Sequence, residues 1–263
     1  MMGLMRKVLA TDLDGTLVFE GGVRSPDVAA VHRWTDAGNT LVIDTGRSLE
    51  AVAAARRDSG VPRPDYVVAF TGAVIADADL DVIESTPIGA GLLSQIAGLL
   101  RGEPAMLMAS TIDHDYTVLA PPMTRPDGGP FEVAPWARRG SLDELERADL
   151  FGIPVAIPDE DARRRLEPRL RELCAGRAEV HHNLFFIDVV PLGATKGTGL
   201  QRLLDGFLPG HGEVYAIGDS WNDLAMHAVA DHSATLPHAP AEVQEHCDLV
   251  VDSVAGLIDR ALG

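Results

Sequence analysis

Short apolar runs that stop at polar turns constrain this chain more than any other feature. Residues 8–10 run into Thr11-Asp12-Leu13-Asp14-Gly15-Thr16, residues 40–43 into Asp44-Thr45-Gly46-Arg47, and residues 66–70 into Thr71-Gly72-Ala73. Such runs, bounded by turn residues, read as strands buried on both faces. Between them lie two helical patterns. Ser25-Pro26-Asp27 opens the first, with Ser25 as N-cap and proline in the first turn; Val28, Val31, Trp34 and Ala37 follow at helical spacing before Gly38. Ser48 caps the second, which runs through Val52 and Ala55 to Gly60. Strand alternating with helix predicts an α/β fold built on a doubly wound parallel sheet. Ligands of such sheets bind outside the carboxyl ends of the strands, which is where the polar turns fall.

The rhythm then changes. Residues 74–75 and 82–83, around Asp77-Ala78-Asp79, form a hairpin pattern; 91–100 reads as an amphipathic helix, 105–109 and 116–120 as strands, and 121–135 as a loop rich in proline and glycine. Ser141-Leu142-Asp143-Glu144 is a capping box. A strand at 151–157, a charged helix at 159–174 and a hairpin of 178–182 with 185–190 complete an antiparallel α+β layer. After Pro191 the alternation resumes, with helices at 196–208, 222–230, 240–246 and 254–262 and strands at 214–217, 232–236 and 249–251. The expected organisation is therefore a discontinuous core, residues 1–87 and 191–263, with an α+β cap domain, residues 88–190, inserted after the third strand.

Composition narrows the function. The chain of 263 residues is 46% hydrophobic, enough for a sizeable core. A formal charge of −17 repels nucleic acid. No apolar run is long enough to span a bilayer, and Met1–Met5 holds no secretory h-region, so neither membrane nor export is expected. Cys174 and Cys247 are isolated, which fits a reducing cytoplasm and packing roles. The basic residues are nearly all arginine, the lysines being Lys7 and Lys196. Lysine in such a chain marks a position that wants a compact ammonium.

Asp12 and Asp14 repel one another unless a cation neutralises them or one keeps its proton. An Asp-Gly turn with incidental acids is the alternative at this stretch taken alone. Four segments, however, deliver polar groups to strand ends or an adjoining helix start: Asp12 and Asp14; Thr45, Gly46 and Arg47; Lys196; and Gly218-Asp219-Ser220-Trp221-Asn222-Asp223. One hydroxyl, one lysine and four carboxylates make a hard-oxygen metal site beside an ammonium, and Mg²⁺ suits it. A metal and fixed donors are what a phosphoryl group in transfer requires. A carboxylate can attack phosphorus when a cation screens the repulsion, and a second carboxyl two residues on shares its face and can move the protons.

These four segments, in this order, resemble the motifs of the haloacid dehalogenase superfamily. The resemblance implies a HAD-like Rossmannoid core in which Asp12 is the nucleophile and Asp14 the general acid/base. Thr45 holds a phosphoryl oxygen, and Lys196 neutralises nucleophile and phosphate. Asp219, Asp12 and the backbone carbonyl of Asp14 bind Mg²⁺, with Asp223 binding directly or through an outer shell. The large insert after the third strand is similar to that of the Cof-type branch, as are 188–197 and 218–226. One departure stands out: Thr71 replaces the usual Asn of an Asn-Gly-Ala turn.

Other clusters carry blander readings. Asp113-His114-Asp115 reads as a solvated hairpin tip. His181 and His182 point to opposite faces of a strand and cannot chelate one ion together. Arg163-Arg164-Arg165 reads as a solvated face pairing with Glu160, Asp161 and Glu167. Trp136 with Arg125, Arg138 and Arg139 is a candidate contact for a sugar or second phosphate, and Arg47 is a better one. Substrate binding is assigned to Gly46, Arg47, Thr71 and Asn222. The expected activity is a cytoplasmic Mg²⁺-dependent phosphatase of a small phosphorylated metabolite, most simply a sugar phosphate, with the cap excluding water and supplying specificity. A phosphomutase on the same scaffold is the first rival and a non-catalytic phosphometabolite sensor the second. Dehalogenation needs no acid at Asp14. No motif names the substrate or the oligomeric state.

Overall fold

The computed structural model describes residues 5–124, 134–183 and 185–263. Arg125, singled out above beside Trp136, lies outside the described residues, as does much of the 121–135 loop. By contact the chain forms two compact units. One comprises the chain up to Arg47 with Val52–Ser85 and Thr195–Gly263; the other comprises Ser48–Ala51 with Thr86–Ala194. No helix among the described residues is long and apolar enough to cross a membrane.

The first unit is built on an eight-stranded sheet in the order Leu249–Val250, His232–Thr235, Val214–Ile217, Val8–Thr11, Thr40–Asp44, Tyr66–Ala69, Val74–Asp77, Val82–Ser85. The first six run parallel. The last two, the hairpin read in the sequence, are antiparallel and extend the same sheet at its edge. The chain leaves Val8–Thr11 toward one side and returns on the other, so the topological switch point lies at the carboxyl end of that strand.

Alternation along the strands divides the core. Val8, Ala10, Val42, Val68, Val214 and Ala216 pack with Leu200, Leu203, Leu204 and Met226 of the helices that follow Thr195 and Asp223. Leu9, Leu41, Ile43 and Tyr215 point to the other face, where Trp34 meets Tyr215 edge-on at 5.9 Å. Trp34 spends its one donor on the Thr40 carbonyl at 2.8 Å, so a large aromatic is buried with no polar atom orphaned.

The first helix, Ser25–Asp36, corrects a cap. Arg24 is the N-cap and makes no side-chain cap bond, so Ser25 is already helical. The buried Asp27 reaches elsewhere, accepting from Arg24 Nε and from the backbone N–H of Ala255, both at 2.8 Å. A carboxylate on an amide at the start of the helix Val254–Leu262 suits the positive end of that helix.

The second unit holds a six-stranded sheet in the order Arg138–Arg139, Asp115–Leu119, Met106–Ser110, Ile153–Ala156, Phe186–Pro191, Ala178–Asn183. It is antiparallel except for Arg138–Arg139, which runs parallel to its neighbour. One face packs Leu107, Val155, Ile187 and Val189 with Ile96, Leu166 and Leu170 of the helices Leu92–Leu99 and Glu160–Cys174. Ser141 caps the short helix Leu142–Leu145, accepting from the Glu144 amide at 3.3 Å, but Glu144 turns its carboxylate to the Ser141 hydroxyl at 2.7 Å rather than to the backbone N–H that a capping box uses.

Two blander readings need correction. Asp115 is buried rather than solvated; Ser110 Oγ at 2.6 Å and Trp136 Nε1 at 2.9 Å donate to its carboxylate. These donors meet the carboxylate's need for hydrogen bonds, which is why it can leave water. In the Arg163–165 triplet, Arg164 pairs with Glu160 at 2.8 Å, but Arg165 takes Glu103 at 2.9 Å and Arg163 the Ile157 carbonyl at 2.9 Å. Glu167 serves Arg171 and His182 instead.

Candidate active site

The carboxyl ends of the central strands of the first unit gather the residues singled out above. Asp12 follows Val8–Thr11, its amide bonded to the Ile217 carbonyl at 2.9 Å. Lys196 is the first residue of the helix Lys196–Phe207, which opens on a capping box between Thr195 and Thr198. A helix start is the unfavourable end for a cation, so this ammonium needs compensation, and it has it. Lys196 Nζ donates to Asp12 Oδ1 at 2.6 Å and to Asp223 Oδ1 at 2.5 Å, with the lysine wholly buried. Burial opposes its charge, but Asp12, Asp223 and Asp44 outweigh that, and its pKa is raised.

One ammonium does not balance the carboxylates around it. Burial first, with Asp223 and Asp14 adding, pushes Asp12 up to about 8 against the pull of Lys196. Burial likewise raises Asp219, with Asp223 adding. Asp44, the last residue of Thr40–Asp44, is fully buried, and burial lifts it well above the usual range. Neither of its oxygens has a hydrogen-bond partner among the described residues. The cluster carries surplus negative charge. Asp12, Asp219 and Asp223 offer oxygens that all lie within 4.8 Å of one another. A hard donor set with excess charge fits a divalent cation of the Mg²⁺ type.

Asp219 is held from two sides. Thr16 Oγ1 donates to Oδ1 at 3.1 Å, and His238 Nε2 lies 3.2 Å from Oδ2. Gly15 makes room: its φ is +80°, and a Cβ there would sit 2.5 Å from Asp219 Oδ2. Any side chain at position 15 is therefore both strained and in collision.

Asp14 and Arg47 form a bidentate pair, Nε to Oδ2 at 2.8 Å and Nη2 to Oδ1 at 2.6 Å. Fork-to-fork geometry of this kind fixes the plane of the carboxylate. Arg47 is thus engaged with the acid rather than free to reach outward. Thr45 is buried, and its hydroxyl oxygen accepts the Arg47 amide at 3.1 Å, which leaves the hydroxyl proton to donate. Gly46 joins them in the same turn.

Thr71 lies in the same unit, its amide on the Thr45 carbonyl at 3.0 Å. Phe70, Thr71 and Gly72 have φ of 51°, 53° and 95°, three left-handed residues in succession. Asn adopts that conformation far more readily than a β-branched residue. The Asn expected at position 71 thus has a backbone reason as well as a side-chain one. The Thr71 hydroxyl and the Asn222 carbonyl oxygen are buried, and neither has a partner among the described residues. Asn222 sits in the 3₁₀ turn Trp221–Asp223, and a helix of only Leu224–His227 follows, shorter than the 222–230 expected.

Sequence reasoning missed Asp44, Thr16 and His238. Asp44 ends an apolar run and read as part of a turn. Thr16 had a signal, a hydroxyl two residues past Asp14. His238 had none, because only the fold brings it to Asp219.

The family model described as haloacid dehalogenase-like hydrolase matches residues 9–256. The chain belongs to that family. It is similar to the 5-amino-6-(5-phospho-D-ribitylamino)uracil phosphatase YwtE of Bacillus subtilis, at 27% identity over 97% of this chain and 98% of that one. Among solved structures it resembles a phosphatase of the superfamily from Bacteroides thetaiotaomicron, at 27% identity and a TM-score of 0.76, covering 98% of this hydrolase and 94% of that one. A haloacid dehalogenase-like hydrolase from B. subtilis, 21% identical, shares the fold at a TM-score of 0.79 over 96% and 98% of the two chains.

Proposed function

We propose that this hydrolase is a Mg²⁺-dependent phosphatase that removes phosphate from a small metabolite, a sugar or sugar-alcohol monoester, by way of a phosphorylated Asp12. The observation that carries the reading is Lys196 held between Asp12 and Asp223, 2.6 and 2.5 Å away, with Asp219 completing the acidic set. The relative from B. subtilis acts, by its name, on a phosphorylated ribityl group, which supports the polyol class.

The chemistry follows from the residues. Lys196 draws charge from the Asp12 carboxylate and keeps it aligned, so that an oxygen of Asp12 can attack phosphorus without the full anion–anion repulsion. As that bond forms, the ester oxygen leaves and takes a proton from Asp14. Asp14 then removes a proton from water, whose oxygen attacks the same phosphorus, releasing phosphate and restoring Asp12. Thr45, its hydroxyl proton free, donates to a phosphoryl oxygen. A bound Mg²⁺, held by Asp12, Asp219 and Asp223, supplies charge neutralisation for the phosphoryl oxygens. Arg47 keeps Asp14 oriented until substrate enters. The unit containing Thr86–Ala194 is assigned substrate selection, and the cytoplasm is the assigned location, which the free thiols of Cys174 and Cys247 support.

Phosphate release from p-nitrophenyl phosphate tests the reading. Asp12→Asn abolishes release, and chelation of divalent cations abolishes it in wild type. Full activity of Asp12→Asn overturns the assigned nucleophile. A panel of polyol phosphates, sugar phosphates and nucleotides then ranks the substrate class by kcat/KM, and a preference for nucleotides contradicts the polyol assignment.

A further inference from the structure

We propose that His238 is a positioning residue for the cation site, fixing the carboxylate of Asp219 in the orientation that a divalent ion requires; this rests on the reading of Asp219 as a metal ligand. His238 comes from the turn after His232–Thr235, outside every motif that identified the site. Its Nε2 lies 3.2 Å from Asp219 Oδ2, while Thr16 Oγ1 holds Oδ1 at 3.1 Å. With one donor on each oxygen, the carboxylate plane is defined. Each oxygen still has a lone pair to give.

The imidazole is itself held. Phe19, in the short hairpin Val18–Phe19 and Gly22–Val23, meets the His238 ring edge-on, with centroids 6.1 Å apart at 79°. Arg24 lies over the Phe19 ring at 4.6 Å, and its Nε is tied to the buried Asp27 at 2.8 Å. A continuous line of contacts, Asp27–Arg24–Phe19–His238–Asp219, anchors the ligand carboxylate to the first helix. Partners that orient a ligating carboxylate in this way set metal affinity even though they never touch the ion. His238 does not belong to the acidic group whose oxygens converge within 4.8 Å, which places it outside the ligand set.

Isothermal titration calorimetry of the metal-stripped full chain with MgCl₂ tests the assignment. His238→Ala is expected to weaken Mg²⁺ binding about tenfold, near the low end for loss of such a partner, because the side chain is half exposed. His238→Gln keeps an N–H donor and restores most of the affinity. Phe19→Leu leaves the imidazole present but removes the ring that orients it, and weakens binding less than His238→Ala does. This last variant also keeps the test open should His238→Ala fail to fold. An unchanged or tighter Mg²⁺ constant in His238→Ala, or in Phe19→Leu if that variant alone folds, overturns the proposal; the tighter result marks His238 as a competitor for Oδ2. Asp219→Asn separates the two readings. If wild type binds Mg²⁺ and Asp219→Asn does not, an unchanged His238→Ala defeats the positioning role alone. If wild type binds no Mg²⁺, both readings fall.

Discussion

The two units bury different things. In the first, the polar groups removed from water concentrate at strand ends: Asp12, Thr16, Asp44, Thr45, Thr71, Lys196 and Asp223 are all buried. In the second, Ser48, Ser110 and Asp115 are the buried polar residues among those described, and the rest of its interior is apolar, mostly Leu, Ile, Val and Ala with Met106, Met108, Phe151 and Cys174. One unit carries a charge cluster that its own packing does not neutralise. The other is an apolar core of the ordinary kind. The contrast teaches where stability and chemistry are traded: carboxylates crowded around one lysine cost folding energy, and a site that binds a cation tolerates that cost.

The largest expected effect breaks the contrast at its centre. Asp12→Asn lowers phosphate release by more than about 10⁴-fold, as loss of a covalent nucleophile does, yet it removes a carboxyl whose ionisation burial opposes. Thermal melting of the metal-free variant is therefore expected at or above the wild-type temperature. A fall in melting temperature contradicts the charge imbalance.

Lys196→Met attacks the same cluster from the other side. It leaves Asp12 and Asp223 buried without their counter-charge and costs about 3–5 kcal/mol in urea unfolding at neutral pH. Leu166→Ala does similar damage in the second unit by a different route. Leu166 is fully buried, and the cavity costs about 2–5 kcal/mol. Turnover of p-nitrophenyl phosphate well below its melting point falls far less than in Asp12→Asn. Equal losses would mean that the apolar unit takes part in the chemical step.

pH separates the units by sign. Burial raises Asp12, Asp44 and Asp219, so the native first unit holds protons that the unfolded chain releases near pH about 4. Stability from these groups falls as pH rises from there toward about 8, the value reached by Asp12. In the second unit burial pushes Glu167 upward, but hydrogen bonds from Arg171 and His182 overcome it and its pKa is lowered. Its contribution is present above the unfolded value and lost as pH falls through the folded one. Hydrogen exchange of metal-free protein across this range should show protection of the Val8–Thr11 strand declining with pH, after correction for intrinsic rates. Protection around Glu167 should stay level over that range and decline only below pH about 4.5. Saturating MgCl₂ flattens the first trend.

The smallest effect concerns one residue. Thr71→Asn relieves a β-branched side chain at φ 53° and is expected to stabilise by about 1 kcal/mol or less in thermal melts.

Much of this was legible in the sequence because strand ends announce themselves. Apolar runs broken by Asp12, Thr45 and Asp219, and a helix start at Lys196, place the polar cluster without coordinates. What stayed hidden depends on distance in the chain. Thr16 and Asp219 lie 203 residues apart and His238 and Asp219 lie 19 apart, and no periodicity links them. Asp27 read only as part of the opening of its own helix, whereas it bonds the start of another, 228 residues on. Asp115 read as solvated because it falls at a turn between two strands, but Ser110 and Trp136 supply the donors that let it be buried.

The central claim is that Asp12 becomes phosphorylated. Asp14→Asn lacks the base for the second step, while p-nitrophenol leaves without needing an acid for the first. Asp14→Asn mixed with p-nitrophenyl phosphate and Mg²⁺, quenched in acid and digested, should therefore yield the peptide containing Asp12 heavier by one phosphoryl group. A phosphoryl group on any other residue, or none on the protein while p-nitrophenol is released, would contradict the account.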